Sequence, residues 1–305
     1  MREKVNGFVG VMAVAILCMV SGLCMVWGIA PVVLAVYVAA CAVCGRYMIT
    51  CIGCAAGVAA GSMGIAGLLH AYEYMIPGPA YSGVMVTEKY LVLLGLAMCL
   101  MKIVYSRNSR SYVRVIVVMS AAVLMGNIVV YADNMLMAAA YGVVEAAIFM
   151  CASVILKPGI GLLYTYICGD ASDVERDESW NISQGIVSLM ALAAVVLWVV
   201  PGEDIYGVNP AFMLALVLIL YAVYRTGAVY GCGMAAVAGS IVSVKLNDSR
   251  WLMWMLLVTL VMLIGRALTG RRKVSASLFY VLGCVLASVA DGTVLWNGSG
   301  REIAF

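Results

Sequence analysis

Few side chains in this sequence could do chemistry, and most of them stand among apolar neighbours. Glu145 lies in "YGVVEAAIF" and Asn127 in "VLMGNIVV". An ionisable group brought to the centre of a bilayer costs on the order of 3 kcal/mol, so it normally faces a partner or a cavity. Two readings of Glu145 follow. Either it fastens helices as a protonated or hydrogen-bonded carboxyl, or it carries a proton or a cation.

The cysteines form two CxxC pairs, Cys41 with Cys44 and Cys51 with Cys54, on either side of Gly45-Arg46. In a soluble protein such spacing suggests zinc or redox chemistry. Here the flanking residues are Ala, Gly and Val, where cysteine serves as a small apolar side chain. The single histidine, His70, closes an apolar run at its outer end. No hydrolytic triad, phosphate loop, dinucleotide fingerprint or metal-ligand cluster is present in the sequence, so no catalytic and no metal residue is assigned. Nor does anything in the charge pattern point to nucleic acid.

The elements that must position these residues are membrane helices. Of 305 residues, 65% are hydrophobic and only 11% charged, with a mean hydropathy of +1.07. Soluble domains carry about a quarter charged residues. Apolar runs here repeatedly reach the ~20 residues that cross a bilayer. Eleven segments are expected, at 7–29, 31–44, 47–70, 90–105, 112–131, 135–156, 183–200, 211–224, 226–244, 251–265 and 274–296. The fold expected is therefore all-α, a polytopic helical bundle of about 10–11 spans.

Strict alternation with the N-terminus inside puts Arg2, Lys4, Arg46, Lys102, Arg107, Arg110, Arg114, Lys157, Arg176, Arg225, Arg266, Arg271, Arg272 and Lys273 on the inner side. Only Lys89, Lys245, Arg250 and Arg301 fall outside. That bias is the positive-inside rule. Arg46, Arg107, Arg110, Arg114, Arg225, Arg271, Arg272 and Lys273 read as topology anchors, with anionic lipid as a natural contact. Asn181-Ile182-Ser183 fits a glycosylation acceptor but falls on the inner side, and is set aside.

The chain also repeats itself. "GCAAGVAAGS" (Gly53–Ser62) returns as "GCGMAAVAGS" (Gly231–Ser240), and Pro31 and Arg46 match Pro210 and Arg225. Further on, Tyr131-Ala132-Asp133 resembles Val289-Ala290-Asp291. Six crossings separate equivalent helices, so the two copies enter the membrane from the same side, a parallel repeat. The organisation expected is a first repeat at 1–158, an acidic cytoplasmic linker at 159–182 and a second repeat at 183–305. The linker carries Asp170, Asp173, Glu175, Asp177 and Glu178 around Arg176. It reads as a solvated connection, or as a dock for a basic partner. The first copy has a sixth helix, Leu136–Pro158, that the second lacks within this sequence.

Within the repeated helices Gly53, Gly57 and Gly61 recur every fourth position, matched by Gly231, Ala235 and Gly239, with Gly227 a turn earlier. This is small-xxx-small packing, which implies close helix contact and self-association. The segments at 31–44 and 211–224 are too short for a bilayer core, and short segments at matching positions can also mark a transport site.

"RTGAVYGCGMAAVAGSIVSVKL" (Arg225–Leu246) and "MLIGRALTGRRKVSASLFYVLGCVLASVADG" (Met262–Gly292) resemble the membrane region of stage II sporulation protein E. The matching positions are Gly227, Gly231, Gly239, Gly270, Arg271 and Gly283, and the segment with "YGVVEAAIF" and Pro158 resembles that family's closing membrane helix. The resemblance implies a membrane anchor for a manganese-dependent phosphatase at the division septum of endospore-forming bacteria, in contact with division proteins. No phosphatase domain, and so no manganese site, is present in this chain. The resemblance therefore implies a non-catalytic module for localisation and oligomerisation. The alternative is a secondary transporter with parallel repeats that uses Glu145 and the Gly-rich helices.

Overall fold

The computed structural model describes residues 2–23, 31–63, 83–103, 109–132, 134–168, 182–200, 209–269 and 273–290. All regular structure among them is helical: α1 (Arg2–Leu23), α2 (Pro31–Cys44), α3 (Tyr47–Met63), α4 (Gly83–Ile103), α5 (Ser109–Val130), α6 (Met135–Cys168), α7 (Ile182–Val199), α8 (Pro210–Arg225), α9 (Ala228–Leu246), α10 (Arg250–Thr269) and α11 (Lys273–Ala290). Four stretches are long and apolar enough to cross a membrane: Ser111–Val130, Met135–Ile167, Ala228–Leu246 and Arg250–Thr269. In α5 and α6 only 28% of that apolar window is buried. Residues such as Val117, Val129, Leu136 and Val143 point outward. So much exposed apolar surface on a soluble monomer is rare, whereas a bilayer solvates it.

The chain forms two compact units, Met1–Leu192 and Ala193–Phe305. Their boundary falls inside α7 rather than before residue 183, and α6 runs ten residues past Pro158 to Cys168. Both differences have one cause. A proline inside a helix breaks its local hydrogen-bond ladder. Here the Gly159 amide donates instead to Ser188 Oγ of α7, at 2.5 Å. Gly185 also brings α7 onto Leu162, where a methyl on the glycine would overlap the leucine. The start of α7 thus belongs to the first unit, and the linker expected over 159–182 is helical through 168. Its acidic residues lie outside the described residues.

In the first unit α2 is the core. Every residue from Pro31 to Cys41 is buried, with α6, α1, α4 and α3 packed around it. A helix of 14 residues rises about 21 Å, which suits a helix enclosed by protein better than a lipid-facing span. Beside it α1 and α3 cross closely. A methyl on Gly53 would lie 2.7 Å from the Ala15 carbonyl oxygen, and one on Gly57 would lie 2.9 Å from Gly22 Cα. Gly61 extends the stripe and is buried.

In the second unit the matching positions meet other partners. Gly231 fits against Val223 of α8, and Gly239 against Leu252 and Met255 of α10, while Ala235 is fully buried. Asn209 caps α8, accepting from the Phe212 amide at 2.9 Å, with Pro210 opening the helix. Gly227 is no part of a packing stripe. It precedes α9 at φ +110°, a conformation glycine alone adopts easily. Gly45, at φ +62°, makes the corresponding turn between α2 and α3. Between α9 and α10, hydrogen bonds from the Arg250 side chain and backbone hold the Asp248 carboxyl below the usual carboxylate range.

The α1–α3 crossing yields a direct test. Gly57→Leu should cost about 1–3 kcal/mol or more by overpacking. Gly95→Leu, where nothing lies within 4 Å of an added methyl, should leave thermal unfolding in lipid nanodiscs unchanged or raised.

Candidate functional site

Among the described residues, the strongest polar constellation joins α4, α5 and α6 of the first unit. It forms around Glu145, ten residues into α6 and fixed there by the packing of α6 on α2 and α5. Glu145 Oε2 accepts three hydrogen bonds: from Lys89 Nζ at 2.8 Å, from Tyr90 Oη at 2.9 Å and from Asn127 Nδ2 at 2.7 Å. Lys89 Nζ also donates to Asn127 Oδ1 at 3.1 Å. The same ammonium lies 4.7 Å from the centroid of the Tyr90 ring. Asn127 completes its own valence on the Val123 carbonyl, one turn back in α5.

Sequence singles out Asn127 and Glu145 as separate polar groups, and the structure brings them together. It missed both partners from α4. Sequence puts Lys89 on the outer side, just before an apolar segment that starts at residue 90. The helix begins instead at Gly83, and the Lys89 side chain is only 4% exposed. The signal was available: a buried carboxylate needs a cation, and Lys89 abuts the start of an apolar run. Lys245, the second basic residue expected in an outer loop, is buried in α9 and donates to the carbonyls of Leu197 and Val200 at the end of α7.

Local chemistry explains the fit of Lys89. Gly126 faces its stem, and a methyl there would come within 3.3 Å of Cγ and Cδ. The amide of Asn127 can donate to the carboxylate while accepting from the ammonium. Tyr131, just past the end of α5, and Tyr141 of α6 stack at 5.2 Å, four residues from Asn127 and Glu145 respectively. The result is a charge pair with its hydrogen bonds supplied by three helices. Such a pair holds only while all its members are present.

The other candidate residues do not converge on this site. Cys41 turns to Thr50 Oγ1, at 3.2 Å, and Cys54 toward the Val33 carbonyl. Among the described residues no group of three or more His, Cys, Asp or Glu side chains is placed to hold a metal. Arg46, Arg114 and Arg225 are exposed. Arg266, by contrast, reaches the Val223 carbonyl and caps α8. Arg110 and Lys273 lie in α5 and α11, but their side chains, like all of Arg107, Arg271, Arg272 and His70, are outside the described residues.

Fold and site together define an all-helical protein whose apolar helices suit a membrane and whose main polar cluster ties three of them together. Compared with known proteins, the chain matches no family model, no curated protein and no solved structure.

Breaking a buried pair by removing one partner typically costs about 3–5 kcal/mol, while replacing both with apolar side chains is often close to neutral. Glu145→Met and Lys89→Met should therefore each lower thermal stability by about that much, and the double variant by far less. Additive losses in the double variant would show that the two residues do not act as a pair.

Proposed function

We propose that this chain is a non-catalytic membrane module that localises and self-associates, comparable to the membrane region of stage II sporulation protein E. The observation that carries the reading is the closed polar cluster. Lys89, Tyr90, Asn127 and Glu145 hydrogen-bond to one another, as groups that hold helices together do. The sequence likeness over Arg225–Leu246 and Met262–Gly292 supplies the biological setting, a septal membrane of an endospore-forming bacterium. The proposed orientation keeps the N-terminus inside. That orientation is supported by the excess of Lys and Arg in the segments expected on the inner side. Its partners would be lipid, further copies of the chain and division proteins. Manganese would belong to the phosphatase domain of the family that the sequence resembles.

A second reading, a transporter with parallel repeats, is favoured by one observation. All three donors converge on Oε2 of Glu145, and its side chain keeps 18% exposure. Such a carboxylate has a second oxygen on which to take up a proton.

Two experiments separate the readings. A fluorescently tagged copy in a sporulating bacterium should concentrate at the division septum, and an even distribution around the membrane would argue strongly against the anchor. In proteoliposomes, Glu145→Gln should leave the decay of an imposed pH gradient unchanged if the residue only fastens helices. Loss of a proton flux that the native protein shows would favour the transporter.

A further inference from the structure

We infer that α4 becomes a membrane span only once α6 supplies Glu145, so that the Lys89–Glu145 pair makes the insertion of one helix conditional on another. The argument begins with length. Between its two lysines, Lys89 and Lys102, α4 offers only Tyr90–Met101 as uncharged helix, about 18 Å at ~1.5 Å per residue. A bilayer core is about 30 Å thick. The helix can cross it only by taking Lys89 inside, with the exposed Glu88 next to it adding to the cost. Lys89 lies six residues in from Gly83, roughly 9 Å along the axis, beyond easy snorkelling to the interface.

The groups that make this depth tolerable arrive late. Asn127 is 38 residues downstream of Lys89 and Glu145 is 56, on the two helices that follow α4. While the chain is being made, α4 is in place before either exists. An unpaired lysine at depth is strongly disfavoured. In that interval the favourable position for the first half of α4 is shallow, with Lys89 in the interface. The final position is prepared by α5 and α6: Gly126 leaves room for the lysine stem, and Asn127 and Glu145 provide the acceptors.

This inference differs from simple pairing in being asymmetric. Losing Glu145 strands the lysine and drives α4 out. Losing Lys89 makes α4 more apolar and leaves it in place, even though the pair is equally gone. Hydrogen exchange on the full chain in lipid nanodiscs distinguishes the two cases, since exchange reports local opening. In Glu145→Met, amides of the Gly83–Leu93 region should exchange about a hundredfold faster than in the native protein, the factor set by an unpaired lysine at depth. In Lys89→Met the Gly83–Leu93 amides should lose no more protection than those of α5 and α6, whereas in Lys89→Met/Glu145→Met native protection should return. Protection of α9 and α10 in the same samples separates a local change in α4 from global unfolding. Native protection of α4 in Glu145→Met would overturn the inference. So would equal loss in both single variants, which would reduce the pair to an ordinary stabilising contact.

Discussion

The first unit depends on one electrostatic constraint: a carboxylate and an ammonium placed among apolar helices must find each other. Lys89 is almost wholly buried and Glu145 largely so, and a charge in such a place is tolerated chiefly when it is paired. Their meeting fixes the relative depth and rotation of α4 and α6, and Asn127 brings α5 into the same arrangement. Apolar packing in a bilayer lacks the hydrophobic drive that sorts helices in water. Directional polar contacts and close backbone crossings do that work here. The Gly53–Gly57 crossing against α1 is the second kind of constraint, and it acts through shape rather than charge.

Much of this was legible in the sequence, because hydropathy and small-residue spacing report directly on membrane helices. The all-helical fold followed from composition, and the close packing of Gly53 and Gly57 from their fourfold spacing. What sequence could not show was direction. A stripe of small residues does not say which helix lies against it, so Gly53 and Gly231 sit at matching positions yet face α1 and α8. Gly227 looked like one more member of the stripe, but its backbone places it in a turn. Lys89 and Lys245 lie inside helices that an apolar window cuts short, for a related reason. An apolar window ends at the first charge, whereas a helix ends where its backbone hydrogen bonds do. Pro158 misled in the same way, since its break is repaired by Ser188, a residue from another helix.

The functional reading rests on how the polar groups are used. A site built to act on a substrate leaves donors, acceptors or ligands facing a cavity. In the described part of this chain the strongest polar groups face one another, and the basic ends of helices are either exposed or cap a neighbour, as Arg266 caps α8. These are the properties expected of the membrane scaffold proposed above.

The central claim is that Lys89 and Glu145 are in direct contact within the membrane, and a solid-state NMR distance measurement tests it most directly. With lysine labelled at 15Nζ and glutamate at 13Cδ in protein reconstituted into lipid, the account predicts strong dipolar dephasing of the Glu145 carboxylate signal. That dephasing should vanish when Lys89 is replaced by methionine. A Glu145 signal with no dephasing in the native protein would contradict the account and return Glu145 to the status of a carboxyl without a cationic partner.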